Sequence, residues 1–406
     1  MEENKTVAIY TVCNIAYLNK ARVLADSLWQ YDSIKLKIYL IDTKRDLPID
    51  DTSSNLYWIE DCAVPDIYSL ALRYDITEFS TAVKPFISIK LLKDHTKVIF
   101  FDPDICIYNS IQPIIEDLNS CSILLTPHYL TPEAYLAPDG DLGMMRFGSF
   151  NLGFFAVKQS EQGRKFLEWW SDRCFRYCYF EPQFGLSTDQ KWITIAPCFF
   201  SEIKISFNMG YNVAMWNSHE RWLTSIGNEK YLVNEQYPLI FFHYSSFDEQ
   251  NPSNLSKRSF SEKFKNRQDL KNMAEGYAVK LKERRIENQY TKYGFDYMSD
   301  GTYLTPTHRR AYSCVLAELP AEHNPFDSNG FVGKFFRRNY LQGTTSSIYK
   351  SEGYDTISKH QLKLKIIFYI MKILLRILGP NQFYNFSRLF VYLSSYRQLR
   401  GLWNLP

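Results

Sequence analysis

The sequence predicts an α/β fold with a mainly parallel sheet flanked by helices. Two observations carry this: β-rich runs alternate with helix-spaced segments from the start of the chain, and the run Val98 to Ile107 drives an apolar strand into a pair of carboxylates, Asp102 and Asp104. A third is quantity, since 45% of the 406 residues are apolar and 16% aromatic, ample for a sizeable core and for more than one domain.

Each element follows from local pattern. Thr6 to Cys13 is a β-rich run, and Asn19 to Gln30 carries Ala21, Leu24, Ala25 and Leu28 at helical spacing. Leu36 to Ile41 reads as a second strand and completes a β-α-β opening. Val83 to Leu92 is helical and leads into the strand that ends at Asp102. Ligands of such sheets sit beyond the carboxyl ends of the strands, which is where Asp102 and Asp104 fall. Leu130 to Gly148, rich in Pro, Gly and Asp, reads as an irregular loop over the site. Phe150 to Val157 and Pro238 to His243 read as further strands, and Gly163 to Cys174 as a helix with Phe166, Leu167 and Trp170 inward.

After Asp248 the character changes. Asn251 to Arg285 is highly charged with helical spacing, and Tyr293 to Asn339 mixes aromatics with turn residues, which places a domain boundary near residue 250. The expected organisation is a catalytic domain over 1–250, a mostly helical accessory region over 251–345 and basic amphipathic helices over 346–406.

Net charge is +3, but Thr356 to Pro406 holds eight cations and no acid, so +3 less +8 leaves −5 on the rest of the chain. Leu362 to Leu378 is apolar yet contains four cations, which argues against a spanning helix. Lys365, Lys372 and Arg376 fall on one stripe of a helical wheel, a pattern suited to the interface of an anionic membrane; docking onto the body or a second subunit is the alternative. The eight scattered cysteines, without CxxC spacing or a secretory signal ahead of them, suit reduced thiols. The expected location is therefore cytoplasmic, peripheral on the inner face of the cell membrane, with no nucleic acid among the partners.

Two carboxylates one residue apart repel unless a cation joins them, and a hard divalent ion shared with phosphate oxygens does so with few protein ligands. Solvated acids closing a strand are the plainer alternative. Taken alone, His243 reads as a satisfied histidine at a strand end, and Ser187-Thr188-Asp189 as a helix cap.

Taken in order, the β-α-β opening, Lys84 in a helix, Asp102-Pro103-Asp104, Phe150-Asn151-Leu152-Gly153, Asp189-Gln190 and Phe242-His243-Tyr244 resemble the nucleotide-sugar glycosyltransferases of the GT-A fold. The resemblance spans about residues 6 to 248 and is to family eight, the group of glycogenin and the bacterial lipooligosaccharide galactosyltransferases. It implies that Asp102, Asp104 and His243 hold a divalent cation, Mn2+ (or Mg2+), on the donor's diphosphate. One imidazole beside two carboxylates favours manganese. By the same resemblance Thr11, Asn14, Tyr17, Lys84, Asp102, Asn151 and Gly153 bind the donor, while Asp189 and Gln190 face the anomeric carbon. The implied reaction moves a sugar from a nucleotide-sugar donor, a UDP-sugar, with retention, to a glycan or lipid-linked acceptor in bacterial surface polysaccharide synthesis. Were the anomer inverted, Asp189, Asp141 and Glu181 are the available bases.

The sequence departs from the family where a glycine and a phosphate-gripping lysine would follow His243, since Ser245-Ser246-Phe247-Asp248 stands there. Asn14 stands where the family has an acid for the base. Two other classes compete: a haloacid-dehalogenase-like phosphatase with Asp102 as nucleophile, and a non-catalytic membrane-bound glycan-binding or scaffold protein. The phosphatase family places its motif near the N-terminus and follows it with Thr or Val, where this chain has Cys106. Loop 130–148, Trp216, Asn217 and His219 are expected to shape donor and acceptor choice.

Overall fold

The computed structural model describes residues 7–47, 49, 51–62, 64–132, 140–257, 266–286, 292–320, 323–342 and 361–406. Thr6, positions 133–139 of the expected loop, 258–265 of the expected helical segment and 346–360 of the tail lie outside the described residues.

By internal contacts the chain forms two compact units: residues 1–67 with 76–294, and residues 68–75 with 295–406. The boundary expected near 250 thus falls inside the first unit.

The first unit is built on a seven-stranded sheet. Its strands are β1 (Val7–Cys13), β2 (Leu36–Leu40), β3 (Ser54–Trp58), β4 (Lys97–Phe101), β6 (Ile123–Pro127), β7 (Phe150–Lys158) and β10 (Ile203–Ile205), in the order β10-β6-β7-β4-β1-β2-β3. Every neighbouring pair is parallel except those of β7, which runs antiparallel to both β4 and β6. All seven residues of β1 are buried, as a central strand covered on both faces requires. Helix α1 (Leu18–Asp32) buries Leu18, Ala21, Leu24, Ala25 and Leu28 on one stripe and stops at Ser33, whose left-handed φ of 53° ends the turn.

Strand β3 and two helices went unanticipated between the opening and the site: α2 (Ile67–Arg73), most of which belongs to the second unit, and α3 (Ile76–Ala82). Helix α4 (Lys84–Leu91) follows, one residue inside the expected span at each end.

The apolar run Val98 to Ile107 is two strands. β4 stops at Phe101, the Asp102 carbonyl accepts from the N–H of Ile105 at 3.1 Å to make a turn, and β5 (Ile105–Ile107) joins a different sheet. Pro103, which has no N–H to give a ladder, sits inside that turn. The second sheet has the order β11-β15-β5, where β11 is Val213–Ala214 and β15 is Phe241–His243, and β15 pairs antiparallel with β5 so that His243 stands opposite Ile105. The seam between the two sheets is where the site forms.

Helix α5 (Gln112–Ser120) lies between β5 and β6. Part of the expected irregular loop is helix α6 (Gly140–Phe147), with Asp141 in its first turn and Arg146 in its last, where the helix dipole favours each charge. Gly148, at φ 120°, then ends it. Helix α7 (Glu161–Tyr177) carries Phe166, Leu167 and Trp170 buried as expected, and its N-cap Ser160 accepts from the N–H of Gly163. The short pair β8 (Phe180–Glu181) and β9 (Leu186–Ser187) precedes a single helical turn, α8 (Gln190–Ile193). A small antiparallel sheet of β12 (Leu223–Gly227), β13 (Lys230–Val233) and β14 (Tyr237–Pro238) and helix α9 (Gln268–Glu283) complete the unit. Leu270, Met273, Ala274, Tyr277 and Leu281 of α9 pack with Phe242, Tyr244 and Phe247 in one cluster, which is why this helix belongs with the sheets.

The second unit is organised round a buried arginine. Arg309 of α10 (Pro306–Val315) donates to the carbonyls of Ala71, Tyr74 and Phe295 at 2.8, 2.7 and 3.0 Å and pairs with Asp296 at 2.7 Å. Helix α11 (Phe331–Arg338) buries Val332, Phe335 and Phe336. The C-terminal helical stretch Gln361–Leu393 breaks at Gly379, where φ is 71°. No residue from 362 to 394 is buried, although Ile366, Phe368, Ile370, Ile377, Leu389 and Phe390 are among them. Among the described residues, no helix is long and apolar enough to cross a membrane.

Candidate metal and donor site

A cleft of about 580 Å³ opens over the seam between the sheets, lined by Lys84, Asp102, Asp104, Asn151, Gly153, Asp189, Gln190 and His243. These eight come from distant parts of the sequence. Thr11, Asn14 and Tyr17 are not among its lining residues. The Thr11 hydroxyl is buried inside β1, and the half-exposed Tyr17 carries the Lys20 ammonium 4.1 Å over its ring. Burial and the neighbouring Asp104 both raise the Tyr17 hydroxyl, so it borders the acids without lining the cleft.

At the centre, His243 Nε2 lies 3.1 Å from Asp104 Oδ1 and 3.8 Å from Asp102 Oδ2. One ligand atom from each of the three residues falls within 4.8 Å of the others. The acids converge through the turn at Pro103 and the β15–β5 register, not through the pleat of one strand. Ions bound at roughly 2.1 Å from each ligand need ligand atoms spaced about as these are. The donor set fits the cation in chemistry as well as spacing.

The imidazole is held from behind. Asn212, buried at φ 51°, places its Oδ1 3.4 Å from His243 Nδ1 and donates from Nδ2 to Thr126 Oγ1 and Asn151 Oδ1, both at 3.0 Å. With Nδ1 engaged there, Nε2 is the nitrogen turned to the acids. Asn212 was missed from sequence. Gly153 serves the same ring: a Cβ built on it meets His243 Cε1 at 2.3 Å and Nδ1 at 2.6 Å, so the imidazole fills the space that a side chain would need. Trp216 closes the other side, edge-on to His243 with centroids 5.0 Å apart.

Lys84 holds the second half of the cleft. Its Nζ lies 3.4 Å from Asp102 Oδ1 and 3.2 Å from Asp189 Oδ2, and donates to the Leu152 carbonyl at 2.9 Å. Burial alone would drive this ammonium down, but Asp102 and Asp189 outweigh it and its pKa is raised. Burial raises Asp102 and Asp189, with Lys84 countering in part. Burial also pushes Asp104 up, yet the charge and hydrogen bond of His243 overcome it and the carboxyl ends below its ordinary value. Three carboxyl groups face one ammonium and one imidazole, an excess of acidic groups that a divalent cation would offset.

Gln190 is fixed at both ends, Nε2 donating to the Phe147 carbonyl at 3.1 Å and Oε1 accepting from the N–H of Leu152 at 3.3 Å. Thr188, at φ 49°, donates from its hydroxyl to Asp189 Oδ1 at 3.2 Å.

No protein-family profile matches the chain. The uncharacterized protein YfnF of Bacillus subtilis (strain 168) is 26% identical over 176 residues, 43% of this chain and 58% of that protein, so less than two thirds of its length is matched. Among solved structures, the apo bifunctional glycosyltransferase WbbM matches at a TM-score of 0.40 and 12% identity over 70% of this chain and 52% of its own. Galactosyltransferase LgtC, in complex with donor and acceptor sugar analogs, matches at 0.37 and 13% over 66% and 95%. The first unit, a mainly parallel sheet with helices around it, is the α/β class expected from the sequence.

Where a phosphate-gripping lysine would follow His243, the structure has a turn. Asp248 Oδ1 accepts from the N–H groups of Gln250 and Asn251 at 3.2 and 3.3 Å, while Ser245 alone of that stretch lines the cleft. Trp216 lines the cleft, but Asn217 does not: its side chain braces Ala214, His128 and Asn212 through backbone hydrogen bonds. His219 packs edge-on against Tyr129. Asp141 accepts from the Tyr129 hydroxyl at 2.9 Å.

Proposed function

We propose that the chain is a metal-dependent glycosyltransferase that takes a sugar from a nucleoside-diphosphate donor, a UDP-sugar, and attaches it with retention to a glycan or lipid-linked acceptor in bacterial surface polysaccharide synthesis. The observation that carries it is the convergence of Asp102, Asp104 and His243, with ligand atoms inside 4.8 Å, in the cleft that also holds Lys84 and Asp189. Asp102, Asp104 and His243 would hold Mn2+ or Mg2+, which supplies Lewis-acid stabilisation for the departing diphosphate.

The chain's own residues do the rest. Lys84 pairs with Asp102 and Asp189 and holds them in place, Asn212 keeps His243 oriented, and Gln190 ties the Leu152 backbone to α6. Asp189, Gln190 and Asn151 line the sugar's side of the cleft. In the transfer, the acceptor oxygen bonds to the anomeric carbon and the bond from that carbon to the diphosphate breaks. The electron pair leaves with the nucleoside diphosphate, and the hydroxyl proton passes to its phosphate oxygen. Thr11, Asn14 and Tyr17, which do not line the cleft, are assigned to the donor's nucleoside end by the family resemblance alone.

The basic C-terminal stretch suits the anionic inner face of the cell membrane. It is apolar and unburied from 362 to 394, and Thr356 to Pro406 contains no acid. Full-length protein should co-sediment with vesicles containing anionic lipid and be released by high salt; equal binding to neutral vesicles would contradict this.

The reading is tested by offering a panel of nucleotide sugars with and without Mn2+. Metal-dependent release of nucleoside diphosphate is expected. Release of inorganic phosphate instead would point to the phosphatase reading with Asp102 as nucleophile, and no turnover to a binding or scaffold role.

A further inference from the structure

Strand β6 makes its last ladder pair at Pro127, and the chain continues from it as one wall of the cleft, with His128 and Tyr129 both lining the cavity. The N–H of His128 still reaches the Ser149 carbonyl at 3.0 Å; beyond it, side chains from the turn 217–220 grip the wall. Asn217 Nδ2 donates to the His128 carbonyl at 3.0 Å, and the His219 ring stands edge-on to Tyr129 with centroids 5.6 Å apart. The Glu220 carboxylate accepts from the N–H of Leu130 with both oxygens at 3.0 Å, and from the N–H of Thr131 at 2.7 Å. Arg267 secures the turn from behind, donating to the Ser218 and Arg221 carbonyls at 2.5 and 2.8 Å.

The Glu220 side chain is 4% exposed, and a buried carboxylate is costly unless strong donors satisfy it. An acid placed there to neutralise Arg221 would turn its oxygens to the guanidinium. Instead Arg221 Nε lies 3.4 Å away and its Nη1 donates to the Tyr211 carbonyl at 2.6 Å, while both Glu220 oxygens face backbone N–H groups of the wall. The wall in turn touches the sugar's side of the cleft: Asn151 Nδ2 is 3.5 Å from His128 Nε2, and the Tyr129 hydroxyl donates to Asp141 of α6 at 2.9 Å.

We propose that Glu220 is a positioning residue for the transferred sugar, its carboxylate fixing His128 and Tyr129 against Asn151 and thereby setting how tightly the sugar part of the donor is held. This rests on the glycosyltransferase reading. Asn217 and His219, which do not line the cleft, act on substrate choice through the same wall. The metal end is held by other groups, the turn at Pro103 and the Asn212 amide, so the effect of Glu220 falls on the sugar and not on the cation.

The test uses full-length protein with Mn2+ and compares Glu220→Gln, which keeps one acceptor oxygen, with Glu220→Ala. Glu220→Ala/Arg221→Met, which strands no guanidinium, replaces the latter if it does not fold. Loss of their acceptor should quicken hydrogen exchange at the Leu130 and Thr131 amides by about tenfold in the alanine variant. The KM for the nucleotide sugar in acceptor-free release should rise about tenfold with alanine and about threefold with glutamine, with kcat little changed, the signature of lost ground-state binding. Calorimetric affinities for Mn2+ and for the nucleoside diphosphate alone should stay within about twofold, since neither meets the wall. Unchanged exchange at the two amides, an unchanged KM, or a loss of nucleoside diphosphate affinity equal to that of the nucleotide sugar each overturns the proposal. No release by the unaltered protein from any nucleotide sugar sinks the enzyme reading and this proposal with it, whereas release that the variants leave untouched sinks this proposal alone.

Discussion

Asn212 Oδ1 lies 3.4 Å from Nδ1 of His243, and the same side chain bridges Thr126 and Asn151, so a single buried amide ties the histidine to two strands of the large sheet. Outer partners of this kind set ligand orientation and are worth about 10–100-fold in metal affinity. Asn212→Gly, which suits the φ of 51°, should therefore weaken Mn2+ binding by about that factor while the chain still folds, as calorimetric titration and circular dichroism would report. An unchanged Mn2+ affinity would assign Asn212 to packing alone.

Gly153→Ala tests the ring's seat. The new methyl would lie 2.3 Å from His243 Cε1, closer than Cβ atoms approach other atoms, so the imidazole must move. A displacement near 1 Å at a catalytic group costs about 10²-fold in rate. Metal-dependent release of nucleoside diphosphate should drop by about that much, and a rate within threefold of the unaltered protein would show that His243 tolerates the shift.

Lys84 carries the electrostatics of the cleft. Lys84→Met leaves Asp102 and Asp189 without their cation, a loss of about 3–5 kcal/mol for a broken buried pair. Urea denaturation should show a destabilisation of that order, partly recovered in Lys84→Met/Asp189→Asn, which removes one stranded carboxylate. No recovery in the double variant would mean that Asp189 is not the group Lys84 neutralises.

What was legible in the sequence had a chemical type and a period to announce it. Val7 to Cys13, the α1 stripe and the acids after Phe101 were readable because continuous apolar runs and helical spacing reflect burial directly. His243, which alone reads as a satisfied histidine at a strand end, was singled out by the family resemblance of Phe242-His243-Tyr244 beside the two aspartates. Asn212 had no such mark: its role arises from a left-handed backbone position and partners 61 and 86 residues away. Helix α6 was hidden by Gly140 and Gly143, poor helix formers that fit a helix placed against a cleft. The division of Val98 to Ile107 between two sheets follows from pairing with Phe241 to His243, a long-range contact that no local pattern specifies.

The second unit should respond to mild acid. His308 is buried, with Nδ1 3.2 Å from the N–H and 2.8 Å from the hydroxyl of Thr305, and burial lowers its pKa. A folded-state value below the unfolded one gives stability that is present above about pH 6.5 and is lost as pH falls through the folded value. Thermal melts of the full chain at pH 7.5 and 5.5 should show a lower transition at the acid pH, with the gap reduced in His308→Gln. An equal gap in that variant would place the acid sensitivity elsewhere.

The central claim is that Asp102, Asp104 and His243 together hold one divalent cation. Its most direct measurement is Mn2+ binding by electron paramagnetic resonance to the unaltered protein, Asp104→Asn and His243→Ala. One bound equivalent in the unaltered protein, with affinity weakened by about 100-fold or more in each variant, is the predicted result; Mn2+ binding in either variant that matches the unaltered protein would contradict it.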